Sequence, residues 1–179
     1  MSMNIAATYL KVVQERFEVV KELGDKTIAQ LEQEQLHWSF NEDSNSIAII
    51  VKHLNGNMVS RWTGFLMTDG EKQTRDRDDE FYDSITSKEE LVAVWENGWQ
   101  VVFDTLKELT EEDLLKVVKI RGAQLTVIDA IERQMAHYAS HVGQIVYIGK
   151  QIKGEEWETL SIPKGQSKAF TEAMLKEHK

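Results

Sequence analysis

The 179-residue chain has no cysteine and a single proline, Pro163. Without cysteine there is no disulfide framework, no thiolate nucleophile and no thiolate ligand for a metal. Any metal must sit on nitrogen and oxygen donors. With one proline, placed near the C-terminal end, nothing interrupts long helices. No apolar run approaches the ~20 residues that cross a bilayer. The opening "MSMNIAATYLKVVQERF" carries charges every few residues and lacks the apolar stretch of a secretory signal. The expectation is a soluble, cytoplasmic protein. Basic clusters are also missing from the linear sequence. The net charge is −9, with 21 Lys and Arg against 30 Asp and Glu. That balance argues against nucleic acid or an anionic membrane as partner. Apolar residues at 41% and charged residues at 28% suit one globular domain over residues 1–179.

What the sequence does contain is helical periodicity. Tyr9, Val13, Phe17 and Val20 recur at three- to four-residue spacing over 4–23, with Gly24 as a stop and a short helical turn over 26–34. The segment 37–46, "HWSFNEDSNS", is rich in turn formers. A second helix runs from about Ser46 to Met67 on a stripe of Ile47, Ile50, Leu54, Met58, Trp62 and Phe65, and Gly70 ends it. Residues 71–86 have no periodicity and many charges, and read as a long crossing loop. Within it, "DRDDE" (76–80) reads as solvated, because it lacks the spacing and glycine of a calcium loop.

Ser87 and Glu90 form a capping-box pattern that opens a third helix to residue 108, with Leu91, Trp95, Gly98, Val102 and Leu106 on its stripe. The tryptophans at 95 and 99 read as core or dimer interface. Residues 109–127 read as a short helical turn and an extended connection. Thr126 caps a fourth helix running to about Ile152, and a last short helix lies near 167–177. Four amphipathic helices without a convincing set of strands predict an all-α four-helix bundle, with a long loop between helices two and three.

The chemistry-bearing residues are sparse. There are five histidines, and two of them, His137 and His141, stand four apart in "ERQMAHYASHVGQIVYIGK". Helical neighbours at i and i+4 share a face, with Cβ atoms about 5–6 Å apart, so these two can hold one metal ion together. The residues between them include no Glu, so zinc-protease chemistry does not transfer. At 100° per residue both lie at the edge of the apolar arc made by Ile131, Met135, Tyr138, Val142 and Ile145. His53, in "AIIVKHLNGN", likewise flanks the Ile50/Leu54 stripe, with Asn57 one turn and Arg61 two turns beyond. Edge positions of two facing helices can converge. Three imidazoles there would leave metal positions open, as catalytic sites do. The plainer reading of a His pair at this spacing is packed or surface polar residues. His37 reads as a loop or packing residue and His178 as a tail residue.

The stretches "SIAIIVKHLNGNMVSRWTGFLMTDGEK" (46–72), "RQMAHYASHVGQIVYIGK" (133–150) and "LSIPKGQSKAF" (160–170) resemble the DinB/YfiT-like superfamily, in particular a branch found in bacilli and other bacteria. The resemblance spans nearly the whole chain. It implies an up-down-down-up four-helix bundle and one divalent metal ion, zinc or nickel, on three histidines that map to His53, His137 and His141. It also implies a homodimer, and relatives that include bacillithiol S-transferases and mycothiol-dependent isomerases.

Three functions follow as expectations. The first is a metal-dependent thiol transferase acting on a small-molecule electrophile. Its thiol must be a low-molecular-weight co-substrate, since the chain has no cysteine. Arg61 would then orient an anionic group and Asn57 would hydrogen-bond at the rim, although Arg61 also reads as a solvated helix residue. The second is metal-assisted hydrolysis, which needs a general base that the histidine face of the fourth helix does not supply. The third is a non-enzymatic, metal-stapled stress-response or interaction module.

Overall fold

The computed structural model describes residues 4–177, so His178 lies outside the described residues. The fold is mostly helical: α1 Ile5–Ala29, α2 Gln33–Leu36, α3 Ile47–Trp62, α4 Lys88–Glu108, α5 Val127–Lys153 and α6 Ser167–Glu177. One two-stranded antiparallel sheet, β1 Val117–Ile120 with β2 Ala123–Thr126, is interposed before α5. No helix among the described residues is long and apolar enough to cross a membrane.

Each long helix opens on a short polar residue whose side chain accepts a backbone N–H left free in the first turn. Asn4 accepts from Ala6, Ser46 from Ile49, Ser87 from Glu90 and Thr126 from Asp129. The Ser87 box is only half closed: the Glu90 carboxylate takes the N–H and O–H of Thr86 instead of the N–H of Ser87.

The four long helices share one core, and each contributes an aromatic ring to its centre. Phe17 of α1 meets Trp62 of α3 edge-on at 5.8 Å, Trp99 of α4 edge-on at 6.2 Å and Tyr138 of α5 at a tilt at 6.0 Å. Phe17, Trp99 and Tyr138 are fully buried, and Trp62 is nearly so. Edge-to-face geometry at these separations adds to simple area burial. The buried Tyr138 fixes the rotation of α5, and that turns His137 and His141 toward α3.

Several sequence expectations change in the structure. Gly24 does not stop α1. It lies inside the helix with Trp95 packed on it, and a Cβ there would come within 2.4 Å of Trp95 Cζ2. The second predicted helix ends at Trp62 rather than near Met67. Thr63 is extended and Gly64 has φ +60°, a left-handed stop that disfavours residues with a Cβ. Phe65 keeps the helical spacing because it stacks on Trp62 at 5.0 Å from a turn, not from a helix. The expected extended connection is the β1–β2 hairpin. Its two-residue turn, Arg121–Gly122, has positive φ at both positions (+54° and +76°), as the favoured tight hairpin turns require. Trp95 and Trp99 are core residues. α6 buries none of its residues.

Candidate metal centre

α3 carries His53, Asn57 and Arg61 on successive turns of one stripe, and all three are buried (4%, 7% and 5% exposed). α5 brings His137 and His141 opposite them, half-buried. The Nε2 atoms of His53 and His137 stand 3.4 Å apart, and those of His137 and His141 3.1 Å apart. One nitrogen from each of the three rings lies within 4.8 Å of the others. A tetrahedral ion bound at about 2.0–2.1 Å from each nitrogen separates its ligands by about 3.4 Å, so the donor set fits a divalent ion that accepts imidazole.

The protonation pattern suits ligation. Glu80 Oε2 lies 2.9 Å from His53 Nδ1. A carboxylate only accepts, so Nδ1–H donates, and Nε2 is the nitrogen turned toward His137. Burial opposes ionisation of Glu80. The hydrogen bonds from Arg75 and His53 outweigh it and hold this carboxyl below the usual range. Arg75 grips Glu80 with two bonds, Nε to Oε1 at 2.6 Å and Nη2 to Oε2 at 2.8 Å. Phe81 stacks on the His53 ring at 5.0 Å. Burial pushes His137 down to about 4, helped by the neighbouring histidines, Arg75 and Arg61. Burial also lowers His141, with His53 adding to it. Neutral imidazoles are the ligating form. His141 Nδ1 is buried without a hydrogen-bond partner.

Behind the histidines runs a polar chain. Trp62 Nε1 donates to Tyr138 Oη (2.8 Å), and that hydroxyl donates to Asn57 Oδ1 (3.1 Å). Tyr138 therefore packs and positions. Asn57 is tied to it as well as lining the pocket beside the site. Arg61 is not a solvated residue. It binds the Gly70 carbonyl and the Glu71 carboxylate. His37, as expected, stands apart, bonded to Asp83 at 2.7 Å.

Sequence reasoning missed Glu80. It is 5% exposed, whereas Asp76, Asp78 and Asp79 beside it are exposed. The one signal in the sequence is the Phe81–Tyr82 pair that follows the acidic run. Of the arginines beside the site, sequence reasoning named Arg61 alone. A pocket of about 220 Å³ opens beside His53 and His137 and includes Arg61, Arg75, Arg77, Arg121 and Arg133 in its wall. A larger groove of about 720 Å³ runs along α5 between Ser140 and Gln151, past Trp38 and Phe40, and includes none of the three histidines.

The fold and this site define a mostly helical protein with a three-histidine centre that could hold a metal ion. A family model described as "Protein of unknown function (DUF1572)" matches residues 4–166, and the chain belongs to that family, which is DinB-like. A search of curated proteins finds no match to the chain.

Proposed function

We propose that this chain is a four-helix bundle of the DinB/YfiT-like superfamily, of the branch found in bacilli. In this reading it binds one divalent ion, zinc or nickel, through His53, His137 and His141 and transfers a low-molecular-weight thiol to a small electrophile. The observation that carries the reading is the convergence of three imidazole nitrogens from two helices next to an open pocket. The aromatic cluster with one ring per long helix supports the bundle, and the long connection over 63–87 suits the up-down-down-up order.

The metal, when bound, supplies positive charge that favours the anionic, nucleophilic form of a thiol near neutral pH. The protein's own residues do the rest. Glu80 and Phe81 hold the His53 ring in one orientation. Burial keeps His137 and His141 neutral. In the transfer, sulfur bonds to the electrophilic carbon. A halide leaves with the bonding electron pair, or an epoxide C–O bond opens and its oxygen takes a proton from water.

The hydrolytic alternative needs a general base facing the pocket. No carboxylate is among the residues that line it, and Glu80 is committed to Arg75 and His53.

The test is metal content by elemental mass spectrometry on untagged protein and on the His137→Ala/His141→Ala variant, followed by thiol consumption against a panel of electrophiles. About one ion per chain, lost in the variant, together with metal-dependent thiol consumption, supports the reading. Ester cleavage without thiol would replace it with the hydrolase. Silence in both assays, with a metal-dependent rise in melting temperature, would replace it with a non-enzymatic module. The same reading expects a homodimer, which light scattering on the eluting protein measures.

A further inference from the structure

The arginines beside the histidines come from four separate parts of the chain. Arg61 is on α3, Arg75 and Arg77 on the crossing segment, Arg121 at the hairpin turn and Arg133 on α5. Two carboxylates answer them from outside the pocket lining. Glu80 takes Nε and Nη2 of Arg75. Glu71 takes Arg61 (2.9 Å) and Arg121 (2.7 Å). Arg77 and Arg133 have no carboxylate within ion-pair distance among the described residues. The Arg75 side chain is 4% exposed, and its Nη1 has no hydrogen-bond partner. Glu71 Oε1 is 3.7 Å from that nitrogen, too far for a hydrogen bond.

Five guanidinium groups line one concave surface, and only three of them, Arg61, Arg75 and Arg121, pair with a carboxylate, in a protein whose net charge is −9. Gathering like charges is unfavourable unless an anion answers them. A buried guanidinium nitrogen without a partner is costly as well, because it has lost its water and gained no acceptor. The hairpin tip is held over the pocket by a left-handed Arg121. Asp69 secures it, accepting the N–H groups of Arg121 and Gly122 at 2.8 and 2.7 Å. The turn thereby places the Arg121 side chain in the pocket wall. The pocket's volume of about 220 Å³ leaves room for a compact headgroup.

We propose that this pocket binds a compact group with two negative charges, a phosphoryl group or a paired dicarboxylate, through Arg75, Arg77, Arg133 and the carboxylate-anchored Arg61 and Arg121. The forked donors of arginine match both groups. That the group belongs to the substrate or co-substrate rests on the proposed function. Binding of the anion itself does not.

The experiment is calorimetric titration of the full-length protein with inorganic phosphate and, separately, with malonate. It is run at constant ionic strength, before and after removal of metal with a chelator. The comparison protein is Arg77→Ala/Arg133→Ala, which alters two exposed side chains and leaves the buried pairs intact. Saturable binding of at least one anion by the chelator-treated protein, weakened about tenfold or more in the variant, is the expected result. Which anion binds identifies the headgroup. No saturable binding, or equal binding by the variant, overturns the proposal. Anion binding in a protein that takes up no metal would sink the proposed function and leave the pocket standing. Metal-dependent thiol transfer without anion binding would do the reverse.

Discussion

His53 Nδ1 and Glu80 Oε2 stand 2.9 Å apart although the residues are 27 positions apart in the chain. The bond ties α3 to a segment without regular periodicity. It also decides which nitrogen of His53 faces His137. A histidine held this way presents Nε2 in a fixed direction before any ligand arrives. Arg75 completes the arrangement by holding the carboxylate from its other side.

Glu80→Gln keeps an acceptor oxygen but removes the charge. Metal affinity is expected to fall about 10- to 100-fold, as for other supports of ligating histidines. The buried Arg75 loses its compensating charge, which costs on the order of 3 kcal/mol. Competition for zinc against a chromophoric chelator, with urea unfolding alongside, reads both effects. Unchanged affinity would remove Glu80 from the orientation of His53.

Gly56 carries no donor atom, yet it controls where Glu80 sits. A Cβ at this position would lie 2.2 Å from Glu80 Oε1 and 2.7 Å from its Cδ. Helix propensity alone favours Gly56→Ala by about 1 kcal/mol. Overpacking costs about 1–3 kcal/mol, and this carboxylate is pinned by two partners and has little freedom to yield. The variant is expected to be less stable and to bind metal more weakly, as measured by the same unfolding and chelator assays. A stabilised protein with full metal affinity would show that Glu80 moves freely.

The helices and the His137/His141 pair were legible because both depend on short-range spacing, whereas His53 joined the pair through the family resemblance. Stripes at 3.6 residues and short polar caps mark α3, α4 and α5, and the i, i+4 pair on α5 needs no tertiary information. The hairpin was not legible. Its strands are four residues each, and its Arg–Gly turn lacks the usual Asn or Asp before the glycine. Glu80 was hidden because burial in a non-periodic segment depends on what that segment crosses. The arginine pocket was hidden for a different reason. Arg61, Arg75, Arg121 and Arg133 are separated by 12 to 46 residues in sequence, and only the fold gathers them into one wall.

Tyr138→Phe separates support from ligation. The lost hydroxyl leaves Trp62 Nε1 and Asn57 Oδ1 without their partner. Trp62 is 1% exposed, so its orphaned donor carries a full desolvation cost. Asn57 borders the pocket, so its oxygen can turn to water. The expected loss is about 2 kcal/mol in urea unfolding, with metal affinity little changed. A large drop in affinity at unchanged stability would mean that Tyr138 acts on the centre directly.

Asp69 gives the site a pH signature at acid pH. The N–H groups of Glu71 and Gly122 depress its carboxyl below the usual value. Burial opposes them, and Arg121 N–H and the charge of Arg61 add to the depression. A carboxyl with a lower pKa in the folded state than in the unfolded chain stabilises the fold above the unfolded value, about 3.9. That contribution is lost as the pH falls through the folded value. Asp69→Asn is therefore expected to be less stable than the parent at pH 7, with the difference shrinking below about pH 4. In the parent, the Arg121 and Gly122 amides should exchange faster over the same acid range, since both donate to this carboxylate. Amide exchange followed by NMR from pH 6 downward measures this directly. Protection at these two amides that does not change with pH would mean that the hairpin tip is held by Gly70 N–H on Lys119 O and not by Asp69.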